Sequence, residues 1–359
     1  CWGSNSVGQV GNGSTSVNAP VEVIEESFTT NVSTGEYNTC AVFADGSAKC
    51  WGANSKGTVG NGDVSVPVKA PSAVASLTGV AAIAVGREHA CALTVNGGVY
   101  CWGSNAQGPL GLGDYNNSPT PEEVDLNPAI AITAGDYHTC AVLADGKIEC
   151  WGANDRGQLG LGDYEAVNYP HSVPSEKPYV AITAGAEHTC ALHANGNVDC
   201  WGANTQGQIG VGTTTDTPLP TPVPALDRVT DISAGQEHTC AVRVMGSVHC
   251  WGSNGSAELG STDVGFSSDQ PVEVLDIDVD IRKVAAGKYS TCGLGYDGLV
   301  RCWGNNANGT LGIRYMASTD DDGAAGDESG GEGGDPAAPP EPDPSAWIVD
   351  MPTLVDCLP

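Results

Sequence analysis

Basic residues are scarce in this chain. Only 14 of its 359 residues are Lys or Arg, against 43 Asp or Glu, so the formal net charge is −29 at pH 7. Nucleic-acid binding depends on basic patches that neutralise phosphates, and the composition therefore argues against a nucleic-acid partner. An acidic surface of this kind suits a secreted or salt-adapted protein, or one that attracts divalent cations.

Long apolar runs and enzyme signatures are also missing. No stretch of 18 apolar residues occurs, so we predict no membrane-spanning helix. Neither a Gly-x-Ser-x-Gly elbow nor a His-Glu-x-x-His motif is present, and no Ser, His and Asp set stands apart from the rest of the chain. Gly-x-x-Gly strings such as 157–160 lack the following helix of a nucleotide-binding loop. We therefore predict that the chain is not an enzyme and needs no cofactor.

What the sequence has in abundance is repetition. The tripeptide Cys-Trp-Gly occurs seven times, at intervals of 49 to 52 residues. A period of this length, with Gly and Trp signatures and no helical pattern, is typical of the blades of a β-propeller. The repeats begin at Cys1, Cys50, Cys101, Cys150, Cys200, Cys250 and Cys302.

A second cysteine lies ten residues before each of the last six Cys-Trp-Gly motifs and marks a β-hairpin. In the third unit, 140–143 and 147–150 are the predicted strands, and Gly146 ends a three-residue loop that needs a left-handed glycine. In this register the two cysteines face each other at a distance that a disulfide spans. Cys1 and Cys357 remain and are predicted to pair with each other. The predicted disulfides are Cys40–Cys50, Cys91–Cys101, Cys140–Cys150, Cys190–Cys200, Cys240–Cys250, Cys292–Cys302 and Cys1–Cys357.

Paired cysteines at fixed strand positions persist in an oxidising compartment, so we expect an extracellular or cell-surface protein. The chain begins with Cys rather than Met, which suggests a processed N-terminus or a piece of a longer precursor. A lipid-modified Cys1 is the alternative for that residue. Five sequons permit N-glycosylation: Asn12, Asn31, Asn116, Asn254 and Asn308.

Each unit contains two further apolar segments before its hairpin, one ending in Ala-Gly and one rich in Pro and Val, which makes four antiparallel strands per unit. The stretch from Ile132 to Asp163, ITAGDYHTCAVLADGKIECWGANDRGQLGLGD, resembles the regulator of chromosome condensation repeat family. The resemblance covers residues 1 to about 312 and implies an all-β, seven-bladed propeller. Because a propeller uses all its repeats in one ring, we expect residues 1–359 to form a single domain.

The ends of the chain are predicted to close the ring. Val349 precedes Cys357 by eight residues, as Ile132 precedes Cys140, so 349–357 is predicted to be the third strand of blade seven. Residues 1–3 would then be its fourth strand. Such closure leaves no free sheet edge.

Residues 315–346 interrupt the last repeat with an acidic segment rich in Gly and Pro. A solvated loop is one interpretation and a Ca²⁺ site is the other, although the ligand order of an EF-hand is missing. The candidate calcium ligands are Asp320, Asp321, Asp322, Asp327 and Glu328.

Several side chains recur once per repeat, which favours structural roles. His89, His138, His188 and His238 share one position, where a metal-binding ring is the alternative to hydrogen bonding between strands. The repeated Trp and the Asn of Trp-Gly-x-Asn are predicted to pack between blades, with sugar binding as the alternative for Trp. An interaction site should break the symmetry. Acids near the Gly-x-x-His turn, predicted to line one face of the ring or simply to be solvated, are Glu36, Glu88, Asp136, Glu187 and Glu237.

These features together predict a non-enzymatic extracellular propeller that binds a protein partner or assembles with copies of itself. The alternatives are a propeller enzyme acting on polysaccharide or lactone at the central axis, and an inhibitor of a secreted enzyme. The resemblance also implies guanine-nucleotide exchange, but exchange needs a cytosolic partner and conflicts with the predicted disulfides.

Overall fold

The structure, a computed structural model, describes residues 1–15, 23, 28–64, 66–261 and 264–312, and the backbone of 348–354. No helix in this part of the chain is long and apolar enough to cross a membrane. One short 3₁₀ helix, Ala307–Gly309, follows the last hairpin. The strands are β1 Thr29–Thr34, β2 Asn38–Phe43, β3 Ala48–Gly52, β4 Val68–Ala73, β5 Val80–Val85, β6 His89–Thr94, β7 Val99–Gly103, β8 Ser118–Glu123, β9 Ala129–Ala134, β10 His138–Leu143, β11 Ile148–Gly152, β12 Val167–Ser172, β13 Tyr179–Ala184, β14 His188–His193, β15 Val198–Gly202, β16 Thr217–Pro222, β17 Val229–Ala234, β18 His238–Arg243, β19 Val248–Ser253, β20 Ser267–Glu273, β21 Ile281–Ala286, β22 Ser290–Gly295, β23 Val300–Asn305 and β24 Ile348–Leu354.

The strands form antiparallel sheets of four consecutive strands each, in the order β1-β2-β3-β4 and so on to β21-β22-β23-β24. The first strands of neighbouring sheets contact one another, as β5 contacts β1 and β9. They therefore surround a common axis, and each sheet is one blade. The predicted all-β propeller with four-stranded blades is confirmed.

The hairpin register follows from the repeat. Cys140 lies opposite Cys150, and Val142 lies opposite Ile148. Gly146 has φ 83°, a conformation that glycine adopts without the steric cost of a side chain. Six pairs of cysteines lie at disulfide distance across the six hairpins, each with a Cα–Cα separation of 4.1 Å. The disulfides thus tie together the two middle strands of every blade.

The apolar core lies between adjacent blades. The cluster between blades three and four joins Val142 and Ile148 from one sheet to Ala191 and Trp201 from the next. The Trp side chain lies against the backbone of the preceding repeat, where a Cβ on Gly160 would lie 2.8 Å from Trp201 Nε1. Only glycine permits this close approach, which explains why it recurs with the tryptophan.

The number of blades is a correction. The described residues form six blades, whereas the number of Cys-Trp-Gly repeats predicts seven. Residues 1–3 form no strand, and the described part of the chain contains no first or second strand that could pair with them. Among the described residues, the Cys-Trp-Gly motif at 1–3 therefore belongs to no sheet.

The grouping of strands into blades is also a correction. The segment rich in Pro and Val pairs with the Cys-Trp-Gly strand that precedes it, as Lys49 with Ala73 shows, and so completes the preceding blade. The same rule places 348–354 as β24, the fourth strand of blade six, and not as the third strand of blade seven. Pro352 there has the register position of Pro271 in β20, since Val349 and Ser268 face equivalent glycines.

Residues 1–15 nevertheless connect the last repeat to the first. Trp2 Nε1 donates to the Thr310 carbonyl at 2.9 Å, and Gln9 offers its carbonyl to Trp51 Nε1 at 2.9 Å. Each of the other five motifs makes the same type of bond to the preceding repeat, from Trp102, Trp151, Trp201, Trp251 and Trp303.

Candidate functional site

The connections between the first and second strands meet around the axis on one face of the propeller. Each starts with a glycine, and together they enclose an axial cavity of about 160 Å³. We call the two residues after each glycine the loop-tip ring. Its members are Glu36 and Tyr37, Arg87 and Glu88, Asp136 and Tyr137, Ala186 and Glu187, Gln236 and Glu237, and Lys288 and Tyr289.

The backbone of the loop-tip ring is fixed by close contacts. A Cβ on Gly135 would lie 2.2 Å from His138 Cε1 and 2.6 Å from the Gly185 carbonyl oxygen, so no side chain fits there. Backbone bonds also run from blade to blade: Asp136 N–H donates to the Ala186 carbonyl at 3.0 Å. Similar bonds join 87 to 136, 186 to 236 and 236 to 287. The ring therefore presents its side chains from a rigid frame.

The side chains on this frame differ from blade to blade. The first ring position carries an acid, a base, an alanine or a glutamine, and the second is Tyr in three blades and Glu in the other three. This is the symmetry breaking that a binding site for a single partner requires. The five predicted acids lie on the ring. The bases, the tyrosines and Gln236 were not predicted, although they occupy the same repeat positions as these acids.

A chain of ion pairs crosses one side of the ring. Lys288 Nζ contacts Glu36 Oε1 at 2.8 Å, and Arg87 Nε contacts Glu36 Oε2 at 2.9 Å. Arg87 also reaches Asp136 at 3.5 Å. Burial opposes ionisation of Glu36, but hydrogen bonds from Lys288 and Tyr37, with the charges of Lys288 and Arg87, lower its pKa below the usual value. Burial raises the pKa of Asp136 despite the charge of Arg87.

Aromatic rings accompany the two bases. The Arg87 guanidinium lies 5.9 Å from the ring centre of Tyr137, and Lys288 Nζ lies 5.3 Å from that of Tyr289. These are cation–π distances. Tyr289 is 43% exposed, so it can also contact a partner.

The opposite side of the ring is uncharged at its first position and acidic at its second. Ala186 and Gln236 face the axis, while Glu187 and Glu237 are exposed. Arg156 lies 3.9 Å from Glu187 but closer, at 3.2 Å, to Asp216. This arc consequently keeps more of its negative charge than the ion-paired arc.

The four repeated histidines are buried beneath the ring and connect adjacent blades. His188 Nε2 lies 2.8 Å from Thr239 Oγ1, and Thr239 donates to the Gln208 carbonyl at 2.9 Å. The threonine hydroxyl therefore accepts from Nε2–H. Burial lowers the pKa of His188 to about 3 and that of His89 to about 4. Equivalent bonds join His89 to Thr139, His138 to Thr189 and His238 to Thr291.

The repeated asparagines organise the loop after each Cys-Trp-Gly motif. Asn154 Oδ1 accepts from Leu159 N–H at 3.0 Å, while its amide donates to the Asp163 carbonyl. The Asn254 amide, part of a sequon, donates to the Gly265 carbonyl in the same way. Asn116 is exposed.

Other predicted sites lie outside the described residues or lack support within them. The five candidate calcium ligands lie outside the described residues, and so does Cys357 with its predicted bond to Cys1. Among the described residues, no group of three or more His, Cys, Asp or Glu side chains is arranged to hold a metal ion.

Comparison with known families matches the repeats directly. A family model described as the regulator of chromosome condensation (RCC1) repeat matches residues 45–93, 96–142, 145–192 and 195–242. A second model of that repeat matches residues 30–58, 80–108, 129–158, 179–208, 229–257 and 281–310.

Solved structures share the fold. Human WBSCR16 is 18% identical over 99% of this chain and 94% of its own, with a TM-score of 0.82. Yeast RCC1 (Prp20), solved bound to Kap60, is 19% identical over 99% and 83%, with a TM-score of 0.79. The ectodomain of the Physcomitrella patens receptor kinase CR4 is 24% identical over 78% and 65%, with a TM-score of 0.51. At these identities the likeness shows a shared fold and nothing more.

Proposed function

The chain belongs to the regulator of chromosome condensation (RCC1) repeat family, and from that premise we propose that it is a non-enzymatic module that binds a protein partner through the loop-tip ring. The observation that supports the proposal is that the side chains of the ring vary from blade to blade while the loop backbone that holds them stays the same. The glycines and tryptophans beneath it recur in all six described blades and the histidine recurs in four, whereas the side chains on its surface differ.

The chemistry of the ring suits a protein partner. Tyr and Arg are enriched among the residues that dominate binding energies, and the ring brings Arg87 and Tyr137 together. The adjoining charges on Glu36 and Lys288 would set the orientation of a partner with complementary charge. The solved relative from yeast, bound to Kap60, supports protein binding by this fold.

The disulfides indicate an oxidising compartment. We propose that this compartment is the cell surface or the extracellular medium. The net charge of −29 supports that location because it opposes association with nucleic acid and other anionic polymers.

The test compares two triple variants of the disulfide-bonded protein. The first replaces the ring tyrosines (Tyr37→Ser, Tyr137→Ser, Tyr289→Ser), and the matched control replaces exposed tyrosines elsewhere (Tyr115→Ser, Tyr164→Ser, Tyr169→Ser). Each is immobilised and exposed to surface and secreted proteins of the source cells. We expect a partner that the wild type and the control retain and the ring variant loses, and the purified partner should show the same order of dissociation constants.

Retention of every partner by the ring variant would contradict the proposal. Light scattering of the wild type identifies the case in which the partner is another copy of the chain, because the particle mass then rises with concentration and falls again in the ring variant.

A further inference from the structure

The described ring of blades is interrupted between blade six and blade one. The first strands of consecutive blades contact one another from β1 to β21, but β21 makes no comparable contact with β1. A cavity of about 800 Å³ lies there instead. Its lining includes Val32 of β1, Ser290 of β22 and residues 1–4. We call this space the seam.

Apolar side chains at the seam are less covered than their counterparts in other blades. Val32 is 51% exposed. The residues at its register position elsewhere all pack against the hairpin of the preceding blade, and they are Ile83, Ile132, Ile182, Ile232 and Val284. On blade six, Leu294 and Val300 are half-buried, whereas Val142 and Ile148 of blade three are fully buried against the next blade. Two faces that pack against a neighbouring blade elsewhere are thus partly exposed at the seam.

The backbone at residues 3–4 has the shape that accepts a neighbouring strand. Gly3 has φ 103°, and the glycines of the other six Cys-Trp-Gly motifs have φ from 101° to 110°. A Cβ on Gly152 would lie 2.4 Å from the Tyr137 carbonyl oxygen of the adjacent strand, whereas a Cβ on Gly3 would meet no atom of another segment closer than 3.5 Å. Ala153 N–H donates to that Tyr137 carbonyl, but its counterpart Ser4 N–H donates no hydrogen bond within the described residues. The place of a strand carbonyl is therefore open beside Gly3.

A carbonyl at the seam is also available to an incoming side chain. The Gln208 carbonyl accepts from both Thr239 and Trp251, and four other carbonyls accept from a Thr and a Trp in the same way. The Thr310 carbonyl has the same place beside Trp2, but among the described residues it accepts from Trp2 alone. A strand carrying Ser or Thr at this point would supply the second bond.

The sequence has no second strand left over for the seam. Each second strand has Thr or Ala before its cysteine and Ala or Gly after it. This pattern occurs six times, at Cys40, Cys91, Cys140, Cys190, Cys240 and Cys292, and all six lie in blades one to six. A second copy of the chain has none to spare either, so the strand that fits belongs to a different protein.

We propose that the seam binds an extended strand of a partner protein, which pairs with residues 3–4 and inserts between blade six and blade one. When a strand is added to a sheet, main-chain bonds supply affinity and alternate side chains supply specificity. By analogy with 139–143, the strand needs a hydroxyl facing the Thr310 carbonyl, a small residue two positions later and apolar residues at the next two positions. This site is separate from the loop-tip ring, and the proposal does not depend on the ring.

The probe is a fluorescently labelled peptide of residues 137–146 with serine in place of Cys140, which has this pattern of side chains. Fluorescence anisotropy measures its binding to the disulfide-bonded protein. We expect saturable binding of one peptide per chain. A second peptide that also has valine in place of Thr139 should bind about fivefold more weakly, because the hydrogen bond to the Thr310 carbonyl is lost.

Variants of the protein test where the peptide binds. Val32→Asp should weaken binding at least about tenfold, because the inserted strand would bury a carboxylate. Gly3→Ala should weaken it to a similar extent, because its Cβ would take the place of the strand carbonyl. Val180→Asp is the matched control, since Val180 is a 45% exposed valine on the first strand of blade four. This control and Arg87→Met, which alters the loop-tip ring outside the seam, should bind as the wild type does.

Three results would overturn the proposal. The absence of saturable binding to the wild type would show that the seam is closed to a partner strand, and it would leave the proposal for the loop-tip ring untouched. Equal binding by the wild type, Val32→Asp and Gly3→Ala would place the peptide elsewhere. A peptide that binds only by dissociating a dimer, detected by light scattering, would identify a second copy of the chain as the occupant.

Discussion

The interior between two blades and the loop-tip ring are built from the same repeat. Their residues nevertheless differ in how much they vary from one blade to the next. Between blades four and five, the Gln208 carbonyl accepts from both Thr239 and Trp251, and Thr239 accepts from His188. Each group depends on the next, so the pattern recurs from blade to blade. On the ring, the same frame carries Ala186 in one blade and Arg87 in another. The repeat thus restricts the interior and leaves the tips available for recognition.

Removing an interior tryptophan should have the largest effect on stability. Trp251 is fully buried, and Trp251→Ala both opens a cavity and removes a donor from the Gln208 carbonyl. We expect a loss of about 3 to 5 kcal/mol in the free energy of unfolding, measured by urea denaturation. The control is Tyr169→Ala, an aromatic that is 53% exposed, which should change stability by less than about 0.5 kcal/mol. Equal losses would show that the interior is not the source of stability.

Removing one hairpin disulfide should have the next largest effect. Cys190 and Cys200 are ten residues apart and bonded in blade four. Replacing both by alanine frees a short loop in the unfolded chain, which should cost about 3 kcal/mol. Urea denaturation of the oxidised proteins measures it. An unchanged free energy of unfolding would mean that strand pairing alone holds the hairpin and that the disulfide adds no stability.

The same contrast explains what the sequence could predict. The hairpin register, the left-handed Gly146 and the six cysteine pairs follow from local spacing, because the partners are within ten residues of each other. The blade count and the place of 348–354 were wrong, because the Pro-rich strand pairs with the preceding hairpin and spacing alone does not decide between two neighbours.

The candidate sites were only partly predictable for a related reason. The acids of the loop-tip ring stood out because they share one repeat position, but the pairing of Glu36 with Lys288 joins residues far apart in the chain.

Acidification should change the free energy of unfolding in opposite directions through two neighbouring residues, His188 in the interior and Glu187 on the ring. The pKa of His188 is lowered to about 3 in the folded protein. Its contribution to stability is therefore complete at pH values above the ordinary pKa of about 6.5 and is lost as pH falls toward 3. At pH 5 the loss should reach about 2 kcal/mol. Burial raises the pKa of Glu187, so the folded state binds that proton more tightly and stability changes in the opposite direction.

The measurement for this pair is the free energy of unfolding between pH 7 and pH 5. His188→Gln should flatten the decrease that the wild type shows, and Glu187→Gln should steepen it slightly. If His188→Gln follows the wild-type curve, the buried histidines do not control acid stability.

Breaking the ion pairs of the loop-tip ring should have the smallest effect. The Arg87 side chain is 37% exposed and that of Glu36 is 20% exposed, so solvent and salt screen their attraction. A double-mutant cycle with Arg87→Met and Glu36→Gln should give a coupling free energy of about 0.2 to 1 kcal/mol, decreasing as salt is added. If the coupling instead matched the cost of removing Trp251, the ring would be part of the structural frame. A small, salt-sensitive coupling is the result that leaves these side chains available to pair with a partner.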